Sequence, residues 1–466
     1  MSTSNVNNVF RLKEKYGLTG NINIYAKPLD QNTIVKLSAH EVFDKNVKKR
    51  HFLHNFFREV FLPQGYPKSV SDDYFSYQFY DTIQAFASRI TGTIATKAIL
   101  KGVGVGNPDA TALAAAITWI FKDGTGMFGS IVFAWWKGTE FDSNCKKWRL
   151  FADILNDAAM FVELLLPYCM SVALPLLCAT TCMKAAVGVA GGATRAAITQ
   201  HQAVGGNSAD VAAKDGSQET AVNLVASIFG IFVLMVFEEG RFEWTIFLLF
   251  TMLHLFANYL AVSALVFPTL NTARLVLVLR SYCRFYIVPS PDCVNRSESV
   301  VLGQGHTAMT LCGFDIKLGQ SLQKCLHHMS YTELRCILDT QKDRGYLVIP
   351  NMAHRTINVV FNNGESSELV IAAYFHAVIL GLAQCILHNT PLEFLQKKTS
   401  QSTCLLKKLR ESLADVKKDD PMDVLRAVTD FVNGEVSNFI YELEKHDWRT
   451  NTHSIQVDDW RLDNYA

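Results

Sequence analysis

Residues 244–270 are 27 consecutive positions without an Asp, Glu, Lys or Arg. A helix of about 20 apolar residues already crosses the roughly 30 Å hydrocarbon layer of a bilayer. A run of this length therefore either crosses with tilt or needs a large protein core around it. Residues 164–183 and 221–237 are also uncharged, the second near the short end for a crossing helix. From 151 to 270 only 13 of 120 residues are charged, whereas 391–466 holds 25 in 76. An apolar middle is joined to an ordinary water-exposed tail. Pro167 and Pro175 predict a kink in the first run, because proline removes a helical donor and crowds the preceding turn.

Two further apolar stretches carry charge. Residues 83–105 contain Arg89, Lys97 and Lys101. Residues 110–121 and 125–136 are each too short to cross alone, and Lys122-Asp123-Gly124 separates them. Together they predict one helix broken near its middle, or two half-helices. Tyr74, Phe75, Tyr77, Phe79 and Tyr80 before this block, and Trp135-Trp136-Lys137 after it, fit an interfacial position. Basic residues prefer the cytosolic face: the first 80 residues hold 11 Lys and Arg, and Arg274, Arg280 and Arg284 follow the last run. Both termini are expected on that side, which requires an even number of spans, four or six.

The organisation expected is mainly α: a soluble segment 1–72, a polytopic transmembrane helix bundle 73–288, and a soluble, cytosol-facing α+β domain 289–466. In the first segment, 21–25 alternates as a short strand. Lys45, Lys48, Lys49 and Arg50 with Phe52, Phe56 and Phe57 suit either an anionic membrane surface or a solvated helix face. In the last, 346–350 and 356–361 read as strands, and Asn363-Gly364 is expected to turn a hairpin into a strand at 368–371. Helices are expected at 372–387 and, more charged, at about 403–418 and 421–446.

The 44 basic residues nearly balance the 43 acidic ones, for a net charge of +1, which argues against nucleic acid as a partner. The 11 cysteines show no Cys-x-x-Cys pair and read as small buried hydrophobes in a reducing compartment. No secretory signal is expected from the first residues. His201, His306 and His327-His328 lack metal-ligand spacing, and no hydrolase elbow, phosphate-binding loop or zinc-protease motif is present. The glycines at 102, 104 and 106 lack the third position of a dinucleotide loop and follow a helical rather than a strand pattern. No enzyme activity, catalytic residue, metal or cofactor is expected. His254, inside the longest apolar run, suits packing better than proton relay.

Ionisable side chains within apolar segments persist only inside a bundle or a wet cavity. By that rule Arg89, Lys97, Asp109, Lys122, Asp123, Glu163 and Arg195 are the candidate solute-binding residues. The bland alternative is that they pair with one another or lie at the interface. An echo bears on the choice: ATKA at 95–98 returns as ATRA at 193–196, GNPD at 106–109 as GNSAD at 206–210, and KDG at 122–124 again at 214–216. Transport folds often arise from such duplications, with a site between the halves. An internal repeat would make Lys97 and Arg195 equivalent cations that clamp an anion. Asp109 and Asp123 would balance charge or couple protons, and Lys122 would stand at the helix break.

The run FLPQGYPKSV at 61–70, Asp73-Tyr74, Tyr77-Gln78, Gln84-Ala85 with Ser88, GVGVG at 102–106, Ala110-Thr111, Thr118-Trp119, KDG at 122–124, FAWW at 133–136 and KWRLFAD at 147–153 occur in this order. So ordered, they resemble the root UVB sensitive (RUS) family over about residues 50–290. The resemblance implies a membrane-associated eukaryotic protein with no established enzymatic activity, linked in plants to UV-B tolerance, auxin transport and pyridoxal-phosphate homeostasis. It supplies no catalytic residues. The sequence shows no obvious plastid transit peptide. The expected role is binding or transport of a small anionic solute within the bilayer. The alternative is a membrane-anchored adaptor whose 289–466 domain binds a protein partner or another family member.

Overall fold

The computed structural model describes residues 8–15, 22–28, 33–37, 56–102, 112–236, 241–326, 329–342, 344–396, 404–418 and 420–463. The chain divides into two compact units. One comprises Met1–Trp119, Asp157–Thr180 and Arg195–Ala261, the other Ile120–Asn156, Thr181–Thr194 and Val262–Ala466.

The first unit opens with an antiparallel meander of β1 (Asn8–Lys15), β2 (Ile22–Pro28) and β3 (Val35–Leu37), in which Lys13 faces Ile24 and Ala26 faces Val35. The expected strand at 21–25 lies in β2 apart from Asn21, which is outside the described residues. So are Lys45, Lys48, Lys49, Arg50 and Phe52.

Long helices then dominate: α1 (Tyr74–Gly102), α2 (Ala112–Lys137), α3 (Cys145–Leu164), α4 (Ala173–Gln202), α5 (Ser208–Val236) and α6 (Arg241–Ala264). Paired contacts fix their directions within the first unit. Gln78 meets Asp215, Arg89 meets Ser227 and Thr93 packs on Gly230, so α1 and α5 run parallel. Gln84 meets His254 and Lys97 meets Glu243, so α6 runs opposite to α1. Asp157 contacts His254 while Phe161 reaches Trp244, so α3 also opposes α6 and runs with α1. Ile90, Ile94, Ala95, Ala98, Met160, Leu164 and Phe247 form the apolar core of this packing.

Three expectations about these helices are corrected. Lys122-Asp123-Gly124 does not break α2, which is continuous over 26 residues. Its glycines serve packing instead: a Cβ on Gly126 would lie 2.8 Å from Thr181 Cγ2, and one on Gly129 would lie 3.4 Å from Cys182 Sγ. Small residues of this kind let helices approach closely. The kink expected in 164–183 is a full interruption, because α3 stops at Leu164 and two 3₁₀ turns, Leu166–Tyr168 and Met170–Val172, precede α4. Pro167 begins the first of these turns, and Pro175 sits in the first turn of α4, where its missing donor costs nothing. Finally, the run 244–270 is not helical throughout. A helical Pro268 would clash with the Ala264 carbonyl, and α6 ends at Ala264.

Among the described residues, four helices are long and apolar enough to cross a membrane: Met170–Gln202, Ser208–Val236, Phe242–Ala264 and Ser367–Leu387. The last of these behaves differently. It is α8 (Ser367–Leu387), the central helix of the second unit, and residues from Phe375 to Leu382 along it are completely enclosed. In that unit Asn271 caps α7 (Thr272–Phe285) by accepting from the Arg274 amide. β4 (Thr269–Leu270) pairs in parallel with β8 (Arg449–His453). A mixed sheet is built on β7 (Thr356–Asn362). β6 (Tyr346–Asn351) pairs antiparallel to it, and β5 (Asp315–Leu318) and β9 (Arg461–Leu462) pair parallel to it. The α8 helix lies between this sheet and α10 (Pro421–Lys445), with α9 (Leu405–Ser412) alongside.

The expected strand at 368–371 is the first turn of α8. Ser366 adopts an extended backbone and its side chain accepts from the Leu369 amide, an N-cap that starts a helix despite the β-branched residues that follow. The hairpin is instead β6–β7, closed by the turn at 352–355. The α9 helix is also shorter than the expected 403–418.

Candidate functional site

Polar side chains recur along α1 and meet partners far away in sequence. Near its start, the Gln78 amide donates to Asp215 at 3.2 Å, and Arg195 grips the other oxygen of Asp215 through Nε at 2.6 Å. Arg195 also reaches Glu219 at 2.6 Å. His201 pairs with Asp73 at 2.8 Å at the same end. One and a half turns further along, Gln84 Nε2 lies 3.3 Å from His254 Nε2. Arg89 donates to Ser227 at 2.9 Å, and near the far end Lys97 pairs with Glu243. Gln78 and Arg89 are 11 positions apart, about three turns, so both fall on the face toward α5. From Gln78 to Lys97 the ladder rises about 28 Å, close to the thickness of a hydrocarbon layer.

The middle rung is the most enclosed. His254 is fully buried, and its Nδ1 lies 2.7 Å from Asp157 Oδ2. The carboxylate places the proton on Nδ1, which leaves Nε2 to accept from the Gln84 amide. Asp157 Oδ1 and Thr251 Oγ1 are enclosed at this level without a hydrogen bond among the described residues. The outside of the same helices is apolar: Leu249, Met252 and Phe256 of α6, and Leu224, Ile228, Phe232 and Met235 of α5, all face outward. A buried histidine beside a carboxylate can hold a proton as an ion pair rather than as a lone charge in an apolar setting.

The sequence-predicted residues distribute as follows. Arg89, Lys97 and Arg195 lie on the ladder, each with a partner on another helix. Glu163 is buried in α3. Asp109 lies outside the described residues. Lys122 and Asp123 pair with each other at 3.2 Å on α2, and Asp123 is exposed. The sequence did not single out Gln78, Gln84, Asp157 or Asp215. These four lie in the chain without a local pattern that marks them as partners of the cations and of His254.

A second polar cluster lies in the other unit. Lys146, Arg274, Glu298, Asn271 and Asn295 are all buried. Lys146 is 2.8 Å from Asn295 Oδ1 and 3.2 Å from Glu298, Arg274 Nε donates to Glu298 at 2.9 Å, and Asn271 donates to its other oxygen at 2.9 Å. Burial alone would raise the Glu298 carboxyl, but Arg274 and Lys146, with hydrogen bonds from Arg274 and Asn271, hold it at about 2. Arg274 also donates to the Thr269 carbonyl, and Asn295 donates to those of Phe267 and Pro291. This cluster ties the chain after α6 to the start of α3. Among the described residues no group of three or more His, Cys, Asp and Glu is arranged to hold a metal.

These features define a mainly helical protein whose candidate transmembrane helices suggest a membrane location, joined to an α+β domain. A family model described as the vitamin B6 photo-protection and homoeostasis domain matches residues 47–285, and one described as the root UVB sensitive protein C-terminal matches 287–464. The chain belongs to the root UVB sensitive family. RUS family member 1 of Dictyostelium discoideum is 45% identical over 285 residues, which is 60% of this chain and 53% of that protein. This chain therefore aligns with about half of that relative's length. Protein root UVB sensitive 3 of Arabidopsis thaliana is 39% identical over 331 residues, 69% of this chain and 74% of its own. Protein root UVB sensitive 5 of the same plant is 25% identical over 413 residues, 86% of this chain and 75% of its own. No solved structure matches the chain. The family is linked by these names to UV-B sensitivity and vitamin B6 homoeostasis, and the names carry no enzymatic activity.

Proposed function

We propose that this chain is a polytopic membrane protein that binds or transports a small anionic solute along the polar ladder of α1. Helix directions support a six-crossing arrangement. If α1 rises, then α3 and α5 rise with it and α6 descends. The chain must return between α1 and α3, and α2, at 26 residues or about 39 Å, is long enough to do so. The α4 helix ends beside the start of α1, where the Gln202 carbonyl accepts from Ser71, so it descends. Six alternating helices leave both termini on one side.

Charge supports the same orientation. The stretches 103–111, 165–172 and 237–240 contain no Lys or Arg, whereas 11 precede α1 in the first 80 residues. By the positive-inside rule the termini face the cytosol. At the opposite end of α2, exposed Trp135 and Trp136 with Lys137 4.5 Å over the Trp136 ring have the character of an interfacial anchor. The α8 helix is not counted among the crossings, because its apolar surface is already covered by protein.

The observation that carries the solute reading is the ladder itself: cations paired between helices whose outer faces are apolar, with the Asp157–His254 rung enclosed at its middle. Arg89, Lys97 and Arg195 are the anion-binding cations, Glu163 belongs to the same polar set, and Asp157–His254 is the proton-holding rung. The vitamin B6 link makes pyridoxal phosphate the first solute to try. The test is thermal unfolding of the purified full chain against pyridoxal phosphate and other small anions, with uptake into proteoliposomes. Saturable stabilisation and uptake, both lost in Arg195→Gln, are expected; ligand at 100 times its Kd stabilises by about 2.7 kcal/mol. A flat panel with no uptake overturns the reading.

A further inference from the structure

The second unit contains a cavity of about 150 Å³ far from anything the family names assign, lined by Gly313, Phe314, Met352, Arg355, Gln384, Cys385, His388 and Thr390. Three separate pieces of chain make it: the segment after the short helix Ala308–Cys312, the β6–β7 turn, and the C-terminal end of α8. The volume suits a small oxyanion.

Its donors are unspent. Arg355 is exposed, and among the described residues its guanidinium makes no ion pair or hydrogen bond. Its backbone has a φ of +48°, a conformation that L residues other than Asn and Asp seldom adopt. That geometry is fixed because the Arg355 carbonyl accepts from the Asp315 amide at 2.9 Å. Backbone strain of this kind concentrates where a side chain must be aimed. Gln384 lines the same cavity, and its side-chain amide makes no hydrogen bond among the described residues. The Cys385 thiol donates to the Cys312 carbonyl at 3.2 Å, and burial raises it, so it adds no negative charge.

A helix C-terminus ordinarily repels anions. Here the last carbonyls of α8 are already engaged: those of Gln384, Cys385 and Ile386 accept from the amides of His388, Thr390 and Asn389. What lines the cavity is therefore a guanidinium fork and a primary amide. The geometry points to a binding site for a small oxyanion, a carboxylate or phosphate group, held by Arg355 in a two-bond fork with Gln384 completing the cradle. The site is independent of the polar ladder and stands or falls separately from it.

Inorganic phosphate and acetate are the probes, titrated at constant ionic strength into the purified full chain while thermal unfolding is followed. Arg355→Asn removes the guanidinium and tolerates the left-handed backbone; Gln384→Met removes the amide at similar volume. The expected result is a saturable rise in the unfolding midpoint with at least one probe, lost in both variants and retained in Arg195→Gln. A rise confined to phosphate identifies a phosphate group as the ligand; one with both probes identifies oxyanions generally. No saturable rise, or one that survives in Arg355→Asn and Gln384→Met, overturns the site. A rise abolished by Arg195→Gln alone also overturns it and places binding on the ladder instead.

Discussion

The α5 and α8 helices are similarly apolar and both long enough to cross a membrane, yet they are used in opposite ways. Along α5, Leu224, Ile228, Phe232 and Met235 point outward, while Asp215, Ala226 and Gly230 point in. Along α8, Phe375, Val378, Ile379, Leu380 and Leu382 are all enclosed by the sheet and α10. A long apolar run thus identifies a helix that must hide from water and leaves open what hides it. The difference lies in the surroundings: α5 leaves one apolar face uncovered by protein, whereas α8 is covered on every side.

The two buried histidines sharpen this contrast. His254 faces a carboxylate, Asp157, and can carry charge within its pair. His376, fully buried in α8, lies 3.4 Å from the Arg344 guanidinium, and burial first, then Arg344, pushes it down to about 3. It is therefore neutral in the folded protein.

The largest effect is expected at the first of these. His254→Leu strands the Asp157 carboxylate among apolar helices and should destabilise the protein by about 3–5 kcal/mol, while adding Asp157→Leu should recover most of the loss. A double variant no more stable than the single one in detergent unfolding would show that the two residues are not a unit. Glu298 comes next. Its folded value of about 2 lies below the ordinary 4.5, so its contribution is full above pH 4.5 and vanishes as pH falls toward 2. At about 1.4 kcal/mol per unit, Glu298→Gln should cost about 3 kcal/mol at pH 7 and almost nothing near pH 2. A loss independent of pH would contradict this. His376 gives the smallest effect at neutral pH. Because its folded value is depressed, the unfolded chain takes up a proton below about pH 6.5 that the folded chain refuses until about pH 3. Stability should fall through that window by up to about 1.4 kcal/mol per pH unit, and His376→Leu should remove that slope.

Much of this was legible in the sequence, and the failures have definite causes. Uncharged runs found α5 and α6 because hydrophobicity alone decides them, although Pro268 trimmed the second. Residues 346–350 and 356–361 read as strands, and lie in β6 and β7, because their apolar, β-branched pattern agrees with their place in a sheet. At 368–371 the same residue types misled, since the cap at Ser366 outweighed them. Lys122-Asp123-Gly124 looked like a break because local propensity cannot see that Gly126 and Gly129 pack against Thr181 and Cys182. The cations of the ladder stood out against an apolar background, but their partners did not: Gln84 and His254 are 170 positions apart, and Asp157 sits in a segment of ordinary charge. Pairing over such distances is a property of the folded packing.

The central claim, that the outward face of α5 and α6 meets lipid while the α8 domain does not, can be tested by photocrosslinking. A photoreactive benzoylphenylalanine would replace Ile228, Met252 or the exposed Tyr331 of the second unit, one at a time, in the full chain reconstituted into vesicles of radiolabelled phosphatidylcholine. Lipid adducts at 228 and 252 and none at 331 are the predicted result. Equal labelling at all three, or none at 228 and 252, would contradict it.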